Sequence, residues 1–246
     1  MTADTRPPEA WLYFALAVVG GYGDAASVVL AKTFTGHVTG SLVLAAIAIA
    51  AHKWSALMAH LSAVLFFLVG IISSVLIERA LAAWPFFKSL PAVLSIEVIL
   101  TMTAYLAFAS RAAARVEAFV VCMSLALGMQ NGAFQRTGGI SVHTTYLTGM
   151  ITGLMVTEAE NFFSTARTPA AHNLRVGLLY AIWVSFFLGA ATGATLVFHF
   201  KEVGMLGLAL VLLILTVRNS ISAQPARLAG DRSRGHGTCG GVISAE

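Results

Sequence analysis

Polar residues interrupt the apolar runs of this chain at matching places in its two halves. Trp11 to Leu30 is apolar apart from Gly20, Gly21, Gly23 and Asp24 near its middle. Glycine weakens helix continuity and lets another backbone come close, so the pattern predicts a kinked or broken first span. After Lys32 comes Thr35-Gly36-His37-Val38-Thr39-Gly40-Ser41, which leads into an apolar run ending at Ala51. That run is about 14 residues long, and as a helix it reaches only ~21 Å against a hydrocarbon core of ~30 Å.

Leu57 to Ile77 reads as a full span carrying Gly70 and the Ser73-Ser74 pair. Glu78, Arg79 and Lys88 mark a loop. Pro91 suits the first turn of the next helix, which runs to Ala109 with Glu97 inside it. The second half repeats this order. Phe119 to Ala133 ends in Gly128-Met129-Gln130-Asn131-Gly132, a polar linker holds Arg136 and His143, and Thr144-Thr145-Tyr146-Leu147-Thr148-Gly149 opens a short apolar run ending near Val156. Glu158 to Asn173 reads as a polar loop, Val176 to Phe198 as a full span and Val203 to Val217 as the last helix. Beyond it, Gly, Ser and Arg predominate, which predicts a disordered tail over 218–246.

Gly21 and Gly128 lie 107 positions apart, Thr39-Gly40 and Thr148-Gly149 lie 109 apart, and the Phe-Phe-Leu runs at Phe66 and Phe186 lie 120 apart. The predicted fold is therefore an all-α integral membrane domain over 11–217, preceded by a short tail at 1–10. It comprises two repeats of four hydrophobic segments, about 11–110 and 116–217, with the second segment of each short. If the short segments cross, there are eight spans and parallel repeats; if they are re-entrant, there are six spans and inverted repeats. Paired short segments at matching places point to a transporter site at the repeat interface.

Composition fixes the class. Hydrophobic residues make up 58% of the chain and charged ones 11%, against about 25% charged in a soluble domain. The net charge of +4 does not imply nucleic acid, because the basic residues are scattered between apolar runs. With the N-terminus inside, the 15 Lys and Arg divide ten inside to five outside in both topologies. Both termini are thus expected to be cytoplasmic, and the bias does not choose between six and eight spans. The N-terminal residues lack the positive region of a signal peptide, so the first apolar run is expected to be retained. Cys122 and Cys239 form no disulfide framework or metal-ligand spacing.

A charged side chain at bilayer depth costs on the order of 3 kcal/mol unless it faces a cavity or partner. Asp24 and Glu97 are accordingly candidates for coupling to protons or cations, although Asp24 also suits a helix cap at the break. His37 can change charge near neutral pH; His143 precedes the second threonine-glycine pair in the same way. Thr39, Gly40, Thr148 and Gly149 open the short helices, whose free N–H groups attract anions or carbonyl oxygens, and Thr144 and Thr145 can do the same. Gln130 and Asn131 stand where the first half has Gly23 and Asp24. Nucleophile, P-loop, zinc and redox motifs are absent from the sequence, so no enzyme, cofactor or metal is expected. The expected partners are the bilayer and a small solute or ion, with self-association left open. Two other functions compete: an intramembrane enzyme or metal-dependent protein using Asp24, His37 and Glu97, and a non-catalytic scaffold.

The run Gly21-Tyr22-Gly23-Asp24-Ala25-Ala26-Ser27, the motif His37-Val38-Thr39-Gly40, Glu97, and the pairing of Gly128-Met129-Gln130-Asn131 with Thr144 to Gly149 resemble the YoaK-like family of bacterial multi-pass membrane proteins. Ser41 departs from that pattern, which usually reads Thr-Gly-Asn. The resemblance implies a bacterial cytoplasmic-membrane protein of repeated architecture and implies no substrate.

Overall fold

A computed structural model describes residues 10–82, 89–134, 147–163 and 170–222. The described residues form eight α-helices: α1 (Ala10–Ala31), α2 (Val38–Ala50), α3 (Trp54–Ala82), α4 (Ser89–Ala109), α5 (Arg115–Phe134), α6 (Leu147–Phe163), α7 (Ala170–Phe200) and α8 (Met205–Ser222). A 3₁₀ turn at Lys201–Gly204 joins the last two. Four long apolar spans are followed by a fifth apolar stretch, Val176–Ile221, whose 46 residues turn back at that 3₁₀ segment and so contain two helices. Large apolar side chains such as Leu61, Leu65, Leu68, Ile72 and Leu76 of α3 lie exposed, as expected where the solvent is lipid rather than water.

The first span is not broken. α1 is continuous through Gly20, Gly21, Gly23 and Asp24, and the break falls after it, at Lys32–His37. The glycines serve packing instead. A Cβ on Gly21 would strike the Phe186 carbonyl of α7, and one on Gly189 of α7 would strike the Val18 carbonyl of α1. The α3–α5 crossing has the same construction: Gly128 lies on the Phe67 carbonyl, Gly70 on that of Leu125, and Gly132 on Ser74. Small residues here let backbones meet where lipid supplies no hydrophobic drive for helix association. The predicted polar loop from Glu158 is also corrected, since α6 continues through it to Phe163, and α7 begins at Ala170 rather than Val176.

The contacts fix the directions of the helices. Gly189 meets Val18 and Gly193 meets Tyr22, so α1 and α7 are parallel. Gly128 meets Phe67 and Gly132 meets Ile71, so α3 and α5 are also parallel. α1 opposes α5, because Gln130 bonds the Leu16 carbonyl while Met123 and Leu127 lie against Gly23. α8 opposes α1: the Tyr22 hydroxyl reaches the Gly204 carbonyl, and the Arg218 guanidinium covers the Trp11 ring at 4.1 Å. α4 turns into α5 with Phe108 edge-on to Phe119 at 5.4 Å. Thus α1, α4 and α7 run one way, and α3, α5 and α8 the other. The core between them contains Tyr13, Leu16, Leu94, Phe119, Met123, Ile182, Met205 and Leu208.

The close crossings are open to test. Alanine at Gly21, Gly128 or Gly189 should destabilise the protein by about 2 kcal/mol or more through overpacking. At Gly153 or Gly177 a Cβ meets nothing within 4 Å, so alanine there should be neutral or stabilise by up to ~1 kcal/mol through helix propensity. Thermal unfolding in micelles separates the two groups, and equal effects would contradict the packing described.

Candidate functional site

After α1 ends at Ala31 the chain turns back along the helix it has just left. Thr35 N–H and Gly36 N–H donate to Asp24 Oδ1 at 3.0 and 2.8 Å, and His37 Nδ1 meets Oδ2 of the same carboxylate. Asp24 precedes Ala31 by seven residues, so the break is held ~10 Å below the end of α1. Asp24 is only 3% exposed. Two backbone donors and a histidine occupy its oxygens, which is how a carboxylate is accommodated away from water.

Neighbouring hydroxyls complete the fastening. Ser27, one turn after Gly23, donates to the Gly23 carbonyl at 2.7 Å and accepts from the Thr35 hydroxyl at 2.8 Å. The Thr33 hydroxyl lies 3.1 Å from His60 Nδ1 on α3, and Ser41 donates to the Phe34 carbonyl at 2.7 Å. Ser41, where the sequence departs from the family pattern, is thus a buried tie between α2 and the break.

His37 is the N-cap residue of α2 but makes no side-chain cap bond. Its ring instead packs against Phe34 and Phe186, with centroids 5.9 and 5.7 Å away. With Nδ1 committed to Asp24, the other ring nitrogen, Nε2, is left facing outward from the pair, and the bond to Asp24 fixes the ring's orientation. The Asp24 carboxylate also lies at the positive end of the α2 dipole. α2 then rises toward the end of the bundle where α1 finished, because α3, which opposes α1, begins there.

A second polar set lies on α4 and α5. Gln130 Nε2 donates to the Leu16 carbonyl at 2.8 Å, joining α5 to α1. Glu97 stands eleven residues before Phe108, and Gln130 eleven after Phe119, so the antiparallel register brings the two to one level. Among the described residues, Glu97 Oε1, Thr101 Oγ1, Ser124 Oγ, Gln130 Oε1 and Asn131 Oδ1 are buried without a hydrogen-bond partner. A buried polar atom left in this state costs about 1–3 kcal/mol.

The expected residues therefore divide. Asp24 and His37 are brought together, and Gln130, Asn131 and Glu97 lie in the interior. Gly40 backs onto the Phe34 ring, whereas Thr39 is exposed in the first turn of α2, with no described bond to Asp24. Thr148 and Gly149 stand in the first turn of α6, and His143, Thr144 and Thr145 lie outside the described residues. Among the described residues, no group of three His, Cys, Asp or Glu is placed to hold a metal. Thr35, Ser27 and Phe186 stand out in the sequence only as motif or repeat residues and Thr33 not at all, because their role at the site depends on the chain doubling back.

An all-helical bundle with lipid-type surfaces, polar groups inside and five long apolar stretches has the character of a multi-pass membrane protein. The chain belongs to the family described as "Protein of unknown function (DUF1275)", whose model matches residues 12–218. The match supports the family resemblance at this level, and the finer YoaK-like label rests on the motif residues alone. No curated protein and no solved structure matches the chain.

The Asp24 fastening gives a graded expectation. Asp24→Ala strands two buried N–H groups and should cost about 2 kcal/mol or more. Asp24→Asn keeps an acceptor oxygen for Thr35 and Gly36 and should cost less than half as much. Thermal unfolding checks the order, and amide exchange at Thr35 and Gly36 should accelerate only in the alanine variant.

Proposed function

We propose that this protein is a small-solute secondary transporter or permease of the cytoplasmic membrane, built from two inverted repeats. The observation that carries the proposal is the interrupted segment Lys32–Ala50, fastened by Asp24 inside the bundle and returning to the end it left. Irregular backbone is tolerated at such depth only where protein buries it or a cavity adjoins it. Interrupted helices at a repeat interface are a recurring way to expose backbone N–H groups and carbonyls to solute and ion.

The inverted arrangement is supported by repeated geometry. Gly21 meets Phe186 and Gly128 meets Phe67; Gly189 meets Val18 and Gly70 meets Leu125. Moving 107 positions along α1 and 119 back along α7 turns each contact into its counterpart, with the glycines rather than the Phe-Phe-Leu runs setting the register. Because α1 opposes α5, the operation that exchanges them is a two-fold axis in the membrane plane. With α2 re-entrant, the crossing helices are α1, α3, α4, α5, α7 and α8, which makes six.

In this mechanism the Asp24–His37 pair presents Nε2 of the imidazole and the start of α2 to solute. Glu97 is the ion-coupling group. Protonated, it is neutral in the bundle interior; once ionised, its carboxylate requires a cation or the solute itself, because a bare charge at that depth is costly. Solute and proton thereby compete for or share one carboxylate.

Two experiments test the parts separately. For topology, single cysteines at Lys53 and Arg111, in a background lacking Cys122 and Cys239, should be labelled from the side opposite a cysteine at Thr5 in the N-terminal tail, with a cysteine at Arg79 on the tail's side; eight crossings would place Lys53 and Arg111 on the side of the N-terminus and Arg79 opposite. For function, proteoliposomes under a pH gradient should take up a solute from a screened panel, with Glu97→Gln losing the gradient dependence and Asp24→Asn losing at least tenfold in rate. Folded wild-type protein that moves no solute and no protons would end the transport proposal.

A further inference from the structure

At the end of the bundle away from both described chain termini, the ends of α1, α4 and α7 and the start of α5 enclose a cleft of about 490 Å³. Arg111, Arg115, Lys201 and Glu202 line it, between apolar walls that include Leu30, Phe108 and Val197. Helix directions place five described Lys and Arg at this end: Lys32, Lys53, Arg111, Arg115 and Lys201. Three of the five converge on one cleft. Among the described residues no ion pair within 4 Å joins any of the three to Glu202, so three cations and one carboxylate give the lining a formal net charge of about +2.

Topology alone does not account for this. The positive-inside bias favours few basic residues on the side opposite the cytoplasmic termini, and a topological signal needs no convergence. Dipole stabilisation at the ends of α4 and α7 accounts for a cation at each helix, but not for Arg115, which opens α5 at the positive end of its dipole. Arg115 is also oriented, with its guanidinium 5.2 Å from the Phe108 ring centroid. Like charges held together beside low-dielectric walls focus a field that attracts an anion, and planar guanidinium groups match oxyanion geometry.

We propose that this cleft is an anion-binding site for a phosphate-type oxyanion, held by Arg111, Arg115 and Lys201 and limited in affinity by Glu202. That chemistry belongs both to a free solute and to the headgroup of an anionic lipid. Identifying the bound anion with the transported solute rests on the transport proposal, whereas binding is measured at equilibrium without flux, so either can fail alone.

The protein in phosphatidylcholine nanodiscs is titrated with inorganic phosphate, and in parallel the retention of phosphatidylglycerol is followed by native mass spectrometry. Saturable phosphate binding identifies a free-solute site, and retained phosphatidylglycerol identifies a headgroup site; either supports the proposal. In both arms Arg115→Gln and Lys201→Gln should weaken binding at least tenfold, while Lys53→Gln, at the same end but outside the cleft, should leave it unchanged. Glu202→Gln should tighten binding severalfold, a gain that misfolding cannot produce. Absence of binding in both arms, equal binding by Arg115→Gln, or no tightening by Glu202→Gln would overturn the assignment.

Discussion

The structure depends on the need to satisfy backbone N–H groups where no water is available. Leaving α1, the chain turns back into apolar surroundings as an irregular segment, and Asp24 makes that possible by accepting from Thr35 and Gly36. The carboxylate in turn needs His37, and His37 needs the aromatic contact of Phe186 on α7. One buried acid thus fixes the depth at which α2 begins and the orientation of the imidazole that packs on α7. The energetic reason is asymmetric: a satisfied polar group inside a protein adds little net stability, while an unsatisfied one costs several times as much.

The second polar set obeys a different rule. Both Asp24 oxygens are bonded, whereas five buried oxygens on α4 and α5, those of Glu97 and Gln130 included, have no partner among the described residues. A structural network would be expected to close on itself, since a partly satisfied buried network is worse than an apolar core. The two sets therefore differ in closure: one satisfies the backbone of the break, and the other leaves buried oxygens without a partner among the described residues.

Much of this was legible in the sequence. Long apolar runs gave the spans, and polar residues inside them marked Asp24, His37, Glu97, Gln130 and Asn131, because such residues are rare at bilayer depth. The glycines were read as weakening the helix and as letting another backbone come close, and only the second holds: flexibility and close packing leave the same mark in a sequence, and only the partner helix decides between them. The partner of Gly21 is Phe186, far along the chain, so nothing local could reveal that α1 stays continuous. Helix directions were equally hidden, since a 13-residue apolar helix has the same composition whether it crosses or returns. Thr35 and Ser27 are bonded across eight positions only because the break folds back, and single-sequence periodicity carries no trace of that.

The two glycine crossings have a mechanical consequence. Each joins a helix of the N-terminal half to one of the C-terminal half, so glycine-mediated backbone contact pairs α1 with α7 and α3 with α5 across the two halves of the chain. Within each pair the backbones touch, and sliding would drive carbonyls into each other. Between the pairs, the seam of α1 with α5 is made of side chains: Met123 and Leu127 against Gly23, and one amide bond from Gln130 to Leu16. Side chains can exchange rotamers where backbones cannot, so this seam can adjust where the glycine crossings cannot.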